Sequence, residues 1–320
     1  MKGGRNLRKK CKYLRIRVTD KCNLKCKWCH NEGGVNTHSS EELSPAQIEK
    51  AVRFLTEFGF KKIKLVGGEP TVRNDLEEIV RHLKRIPTID LSMISNGTLL
   101  TQKEISNLYN AGLKRINLSI NTVRPNIFFE HQFGKSNLLE TTLDSIKLLI
   151  DIGMDKPKVN FIYLGPENEN DLLMLIDLLK EYHIKLTILN ILPGFGADTN
   201  YPFISTACLI DKVISLGCND VTVEEDENSF SALQFTLKNG VVIEVGHHLL
   251  GQEFVYKSCY DCSVRATCME TVYSQRLTPN GFLQPCLLRS DNLFDLRPFI
   301  FGEVDQDSYT NKVVSFLTDL

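Results

Sequence analysis

Tyr13-Leu14-Arg15-Ile16-Arg17-Val18-Thr19-Asp20-Lys21-Cys22-Asn23-Leu24-Lys25-Cys26-Lys27-Trp28-Cys29-His30 opens as an apolar run and closes in three cysteines spaced C-x3-C-x2-C. On a loop that follows a strand, this spacing brings three thiolates onto three corners of a cubane iron-sulfur cluster. No fourth cysteine lies nearby to close the last corner. One iron is left open, where a small chelating molecule can bind and accept an electron, as a catalytic metal site keeps a coordination position free. Trp28, just before the third cysteine, would cover that cluster with a flat apolar face. Two other readings exist: His30 completes a zinc tetrahedron with the three cysteines, or the thiols form disulfides. An odd number crowded into one loop weighs against the latter.

Outward from this loop, apolar runs alternate with helix-period segments from residue 13 to about 192. Strands are predicted at 13–18, 62–66, 89–94, 115–120, 157–163 and 185–191, and helices at 44–58, 74–86, 101–112, 137–152 and 168–182. Ser44-Pro45 places a capping residue before a proline, and Thr101 is followed three residues on by Glu104. Six strands alternating with helices imply an α/β fold with a parallel sheet and right-handed crossovers, hence an open or partial barrel. In such folds chemistry sits at the carboxyl ends of strands, where the cysteine loop emerges.

After Pro193-Gly194-Phe195-Gly196 the alternation stops. A helix is predicted at 205–217, strands at 232–238 and 241–245 around Asn239-Gly240, a cysteine-bearing hairpin at 259–290 and a closing helix near 308–318. The expected division is a basic arm over 1–12, the partial barrel over 13–196 and a C-terminal region over 197–320. The net charge of -1 offers no overall field for nucleic acid or a membrane surface. With no long apolar stretch and no signal peptide, a cytoplasmic protein is expected, and there ten cysteines suggest metal rather than disulfides.

Cys22, Cys26 and Cys29, with the aromatic Trp28, resemble the signature of the radical S-adenosylmethionine (SAM) superfamily. That resemblance implies a six-stranded (β/α) partial barrel with a 4Fe-4S cluster and SAM as cofactors. Gly67-Gly68-Glu69-Pro70 follows the second predicted strand. Its two glycines let the backbone approach a ligand closely, and its acid can accept bonds from an ammonium group. The resemblance assigns this motif to the methionine amino group of SAM. It assigns Ser95 and Asn96, Ser119 and Asn121, and Asn160 to the ribose and carboxylate. Taken singly, each also reads as strand-end turn chemistry.

Three longer stretches, Leu14–Asn23, Gly67–Leu76 and Ala111–Ile120, resemble the GTP 3′,8-cyclases of molybdenum-cofactor biosynthesis, the MoaA family. That family binds a triphosphate with a basic set, which here implies Arg15, Lys62, Lys64 and Arg276. By the period of two, Lys62 and Lys64 share one face of a strand; pointing inward they hold an anion, pointing outward they are merely solvated. The departures are informative. Thr187 lies where a further arginine is expected, and the chain ends Thr318-Asp319-Leu320 rather than in a Gly-Gly tail. The C-terminal cysteines are four, Cys259-x2-Cys262-x5-Cys268-x17-Cys286, so they can ligate every iron of a second, auxiliary 4Fe-4S cluster. This pattern resembles the SPASM and twitch auxiliary-cluster domains, with the shorter twitch type over 254–290. A four-thiolate zinc site is the alternative.

The expected function is therefore a radical SAM enzyme acting on a small polar substrate of nucleotide, sugar or aminocyclitol type, with an auxiliary cluster for electron transfer. A reductant such as flavodoxin or ferredoxin is the expected partner, and neither nucleic acid nor membrane is. The alternatives are a peptide maturase, a GTP 3′,8-cyclase, and a non-catalytic metal-binding regulator.

Overall fold

A computed structural model describes residues 13–30, 41–191, 201, 204–224, 232–246, 259–262, 274–289 and 291–319. The basic arm over 1–12 and Cys268 lie outside the described residues. So do residues 254–258, 263–273 and 290 of the cysteine-rich segment.

The period-two alternation decides the architecture. In β1 (Tyr13–Arg17), Leu14 and Ile16 are fully buried, and in β2 (Lys62–Val66) so are Ile63 and Leu65. These faces join one core with Ile48, Val52 and Leu55 of α1 (Pro45–Thr56) and with Ile79, Val80 and Leu83 of α2 (Leu76–Lys84). The opposite face, carrying Arg15, Arg17, Lys62 and Lys64, consequently turns to the inside of the sheet's curve. The series continues through β3 (Asp90–Ser95), α3 (Gln102–Ala111), β4 (Ile116–Ser119), α4 (Pro125–Gln132), α5 (Ser136–Asp151), β5 (Lys158–Ile162), α6 (Glu169–Leu179) and β6 (Lys185–Leu189). Strands β1 to β6 pair in sequence order, all parallel. This is a half-barrel with helices outside.

Capping accounts for the helix starts. Ser44 and Gln47 form a capping box at α1, and the Thr101 side chain accepts from Glu104 N at α3. Gly112 (φ 111°) stops α3 in the left-handed region that glycine adopts without strain. Helix α4 was not predicted. Its aromatic-rich PNIFFEHQ lacks a clear apolar stripe, and its buried Phe128 packs in a small separate cluster with Leu24 and Leu139.

The remaining chain is α7 (Thr206–Ser215), β7 (Cys218–Glu224), β8 (Ala232–Leu237), β9 (Val242–Gly246), β10 (Ser274–Leu277), β11 (Phe282–Gln284), β12 (Phe294–Asp295), α8 (Arg297–Ile300) and α9 (Gln306–Asp319). These strands extend the same sheet, in the order β12-β11-β10-β1-β2-β3-β4-β5-β6-β9-β8-β7. β9 lies parallel to β6 and β10 parallel to β1, so the C-terminal region extends the barrel wall at both edges. It packs outside as well: Phe54 of α1 stacks on Phe299 at 4.2 Å between centroids. No described helix is long and apolar enough to cross a membrane.

Candidate active site

Hydrogen bonds to the backbone hold the cysteine loop and its flanks from three directions. Lys25 N and Lys27 N donate to the carbonyls of Gln132 (3.1 Å) and His131 (3.0 Å) at the end of α4. Gly68 N donates to Thr19 O and Glu69 N to Lys21 O, both at 2.8 Å. Arg73, buried and paired with Asp75, donates to Val18 O (2.5 Å) and Leu43 O (2.6 Å). The two glycines thus allow close approach to the protein's own backbone. A Cβ on Gly67 would lie 2.4 Å from Thr19 O, and one on Gly68 2.2 Å from Lys21 O. Trp28 is buried against His131 and Tyr201, with centroids 6.2 and 6.4 Å away, and Tyr201 Oη meets His131 Nδ1 at 3.1 Å.

Cys22 and Cys29 are exposed and Cys26 is half-buried. Loss of water raises the Cys22 thiol and pushes Cys26 up to about 12, and the nearby thiols of this loop add to both shifts. Thiols held neutral here, close enough to repel as thiolates, give up their protons when a cation binds them. Among the described residues, no three Cys, His, Asp or Glu side chains surround a single-ion position. A cubane instead spreads its thiolates over separate irons. The three-thiol loop fits that donor set.

The strand-end residues divide into braces and open groups. Glu69 is 1% exposed, and its carboxylate accepts from Ser95 Oγ (2.8 Å), Asn96 N (2.7 Å), Thr71 N (3.1 Å) and Thr71 Oγ1 (2.6 Å). Burial still raises its carboxyl above the ordinary carboxylate value. This carboxylate, expected to receive an ammonium group, accepts from four protein donors, of which Ser95 Oγ and Asn96 N tie the β2 end to the β3 end. Asn96 in turn donates from Nδ2 to Asn23 Oδ1 (3.0 Å), and Asn23 Nδ2 to Thr98 Oγ1 (2.8 Å). Asn121 Oδ1 accepts from Ile162 N at 2.8 Å. Ser119 and Asn160 differ. They lie opposite each other in register, and among the described residues neither side chain makes a hydrogen bond.

The basic residues converge. Arg276 pairs in register with Arg15, and Arg15 with Lys64, placing three cations in a row across β10, β1 and β2. Lys62, two residues nearer the start of β2, lies with Lys64 about 5.5 Å from the Tyr13 ring. Both lysines therefore face inward. Burial lowers Lys64 to about 7, and repulsion from Arg15, Lys62, Lys158 and Arg115 adds to the effect.

Three lumen residues were not anticipated. Arg17 is 2% exposed; its guanidinium meets Asp20, and its Nε has no partner among the described residues. Lys158 reaches the same lumen and pairs with Glu244 of β9 at 2.6 Å. Arg17 and Lys158 were legible from the period of two, which puts them on the faces of Arg15 and Asn160. Glu244 was not, because its place beside β6 is set by chain reversal. In the C-terminal segment, Cys262 and Cys286 both lie within electrostatic range of Arg289.

Comparison with known proteins completes the picture. The model of the radical SAM superfamily matches residues 16–179. A protein of Methanothermobacter thermautotrophicus named "Probable GTP 3',8-cyclase" is 32% identical over 285 residues, covering 89% of this chain and 87% of that one. A protein of the same name from Methanocaldococcus jannaschii is 32% identical over 303 residues, covering 94% and 92%. Among solved structures, Streptococcus suis SuiB bound to S-adenosylmethionine superposes with a TM-score of 0.60 at 17% identity, over 87% of this chain. The alignment spans 60% of the SuiB chain. Escherichia coli coproporphyrinogen III oxidase (HemN), itself a radical SAM enzyme, gives 0.52 at 11% identity, covering 77% of this chain and 73% of its own.

Proposed function

Because the chain belongs to the radical SAM superfamily, in the branch that includes the cyclase-named relatives, we propose that its barrel lumen binds a small, polar, anion-bearing substrate for radical chemistry. The observation that carries this reading is the row Arg276, Arg15 and Lys64 on the inner face of the sheet that bears the cysteine loop. In this reading Cys22, Cys26 and Cys29 hold the 4Fe-4S cluster. Once cluster and SAM are bound, they supply a 5′-deoxyadenosyl radical able to take hydrogen from a C–H bond.

The chain's own residues do the rest. The close packing of Gly67 and Gly68 on Thr19–Lys21 fixes the loop's entry, and Glu69 and Asn96 lock the strand ends beneath it. Ser119 and Asn160 offer open hydrogen-bonding groups to SAM or substrate, and Arg15, Arg276 and Lys64 hold and orient an anionic group. Cys259, Cys262, Cys268 and Cys286 hold an auxiliary cluster, whose four thiolates leave it an electron-transfer or structural role. The reductant is a low-potential carrier such as flavodoxin or ferredoxin, and the setting is the cytoplasm.

Nucleotide cyclisation is a second reading, favoured by the 32% identity to the cyclase-named relatives. A peptide substrate is a third. SuiB has also been crystallised with its precursor peptide SuiA, and that structure superposes with a TM-score of 0.59.

The test is anaerobic reconstitution, with iron counted and 5′-deoxyadenosine followed after SAM and a reductant are added. About eight irons are expected, falling to about four in Cys22→Ala/Cys26→Ala/Cys29→Ala, with 5′-deoxyadenosine formation lost. Intact, iron-loaded protein that leaves SAM uncleaved overturns the catalytic reading. Only about four irons in the intact protein removes the auxiliary cluster. Formation of a cyclised nucleotide from GTP selects the second reading.

A further inference from the structure

The inner wall of the barrel changes character from one side to the other. On the β10-β1-β2 side are Arg276, Arg15 and Lys64 in adjacent register, with Lys62 two residues nearer the start of β2. On the β5-β6-β9 side, Thr187 is in register with Asn160 and with Glu244, so alternation puts all three on the lumen face. Glu244 is 6% exposed. Its Oε2 accepts from Lys158 Nζ at 2.6 Å, and its Oε1 from Thr187 Oγ1 at 3.4 Å. Lys185 at the start of β6 pairs with Glu224 of β7 at 3.2 Å. Both lysines on this side are thus matched by carboxylates that the C-terminal strands bring in.

Resting on the assignment of the lumen as the substrate site, we propose that Glu244 selects the substrate by charge. By holding Lys158 it removes that cation from the anion-binding set, so the lumen takes a compact dianion, such as a phosphate monoester, in preference to a polyphosphate chain.

The geometry supports this in three steps. Arg15 and Arg276 stand one strand spacing apart, about 4.8 Å, so two guanidinium forks can share the oxygens of one phosphoryl group. Lys64 is next in the row, and an arriving anion favours its protonated form, adding charge where the anion sits. A longer anion must extend past this row. Toward β5 and β6 it meets the Glu244 carboxylate in a water-poor site, a like-charge contact that discriminates strongly. Thr187 supplies a hydroxyl there and no charge.

The experiment is isothermal titration of the anaerobically reconstituted protein with orthophosphate and with tripolyphosphate, without SAM turnover. In the unaltered protein orthophosphate should bind at least as tightly as tripolyphosphate. In Glu244→Gln, which frees Lys158 and removes the repulsion, tripolyphosphate should tighten by about tenfold or more while orthophosphate moves less than about twofold. Glu244→Gln/Lys158→Gln should lose that gain. If Glu244→Gln fails to fold with Lys158 left unpaired, Thr187→Arg provides the same test: it neutralises Glu244 in place and should also favour tripolyphosphate.

Tripolyphosphate binding more tightly than orthophosphate in the unaltered protein overturns the proposal, as do variants that shift both anions alike. If neither anion binds, the lumen assignment falls with it. 5′-Deoxyadenosine formation in the same preparation reports separately on the radical reading.

Discussion

Lys64 shows how one side chain records the character of the lumen. An ordinary lysine titrates near 10.5, whereas Lys64 is brought to about 7 by burial and by four cationic neighbours. Between those values the unfolded chain binds more protons than the native one, so native stability rises with pH across this window. The penalty is present in full below about 7 and vanishes toward 10.5. Lys64→Met should therefore melt higher than the unaltered protein by the largest margin near pH 7, and the margin should shrink toward pH 10. A difference in melting temperature that ignores pH would show that Lys64 is ordinarily solvated. The same residue illustrates the limit of local reading. Sequence alternation pairs Lys62 with Lys64, but only the burial of Ile63 and Leu65 against α1 and α2 decides that the lysines face inward.

At the scale of elements, α4 is the support on which the cysteine loop hangs. The carbonyls of His131 and Gln132 are the last of the helix, which have no intrahelical donors, and the loop amides of Lys27 and Lys25 satisfy them. Phe133 then turns the chain in the left-handed region, at φ 55°, and Gly134 passes under the Phe128 ring. A Cβ on Gly134 would lie 2.0 Å from that ring. Gly134→Ala should displace Phe128 from Leu24 and Leu139, at a cost of about 1–3 kcal/mol. It should also reduce the iron retained by the N-terminal cysteines, read as a lower melting temperature together with a smaller iron count after reconstitution. Unchanged iron in a destabilised variant would separate helix stability from loop geometry. The sequence gives little sign of this element, because the apolar face of α4 serves a three-residue cluster rather than the main core.

At the scale of the molecule, the C-terminal region and the barrel share one sheet and one core. β10 covers the edge of β1, Lys50 Nζ donates to Ile300 O at 3.1 Å, and Phe299 stacks on Phe54. Removing residues 274–320 would bare the backbone donors and acceptors of β1 beside the cysteine loop, and an unpaired edge of this kind invites association. The truncated chain should elute as aggregate rather than monomer in size-exclusion chromatography. A well-behaved monomer would show that the half-barrel stands alone. The sequence by itself determined the three-cysteine loop and the six alternating strands, because spacing and period are local properties of the chain, while the cations Arg15, Lys62, Lys64 and Arg276 were singled out by resemblance to the cyclase family. Tertiary structure alone decided that Arg276 stands beside Arg15, that Glu244 stands beside Lys158, and that Glu69 is occupied by protein donors. These depend on which strand lies next to which, and on which polar groups burial compels to find partners inside the protein.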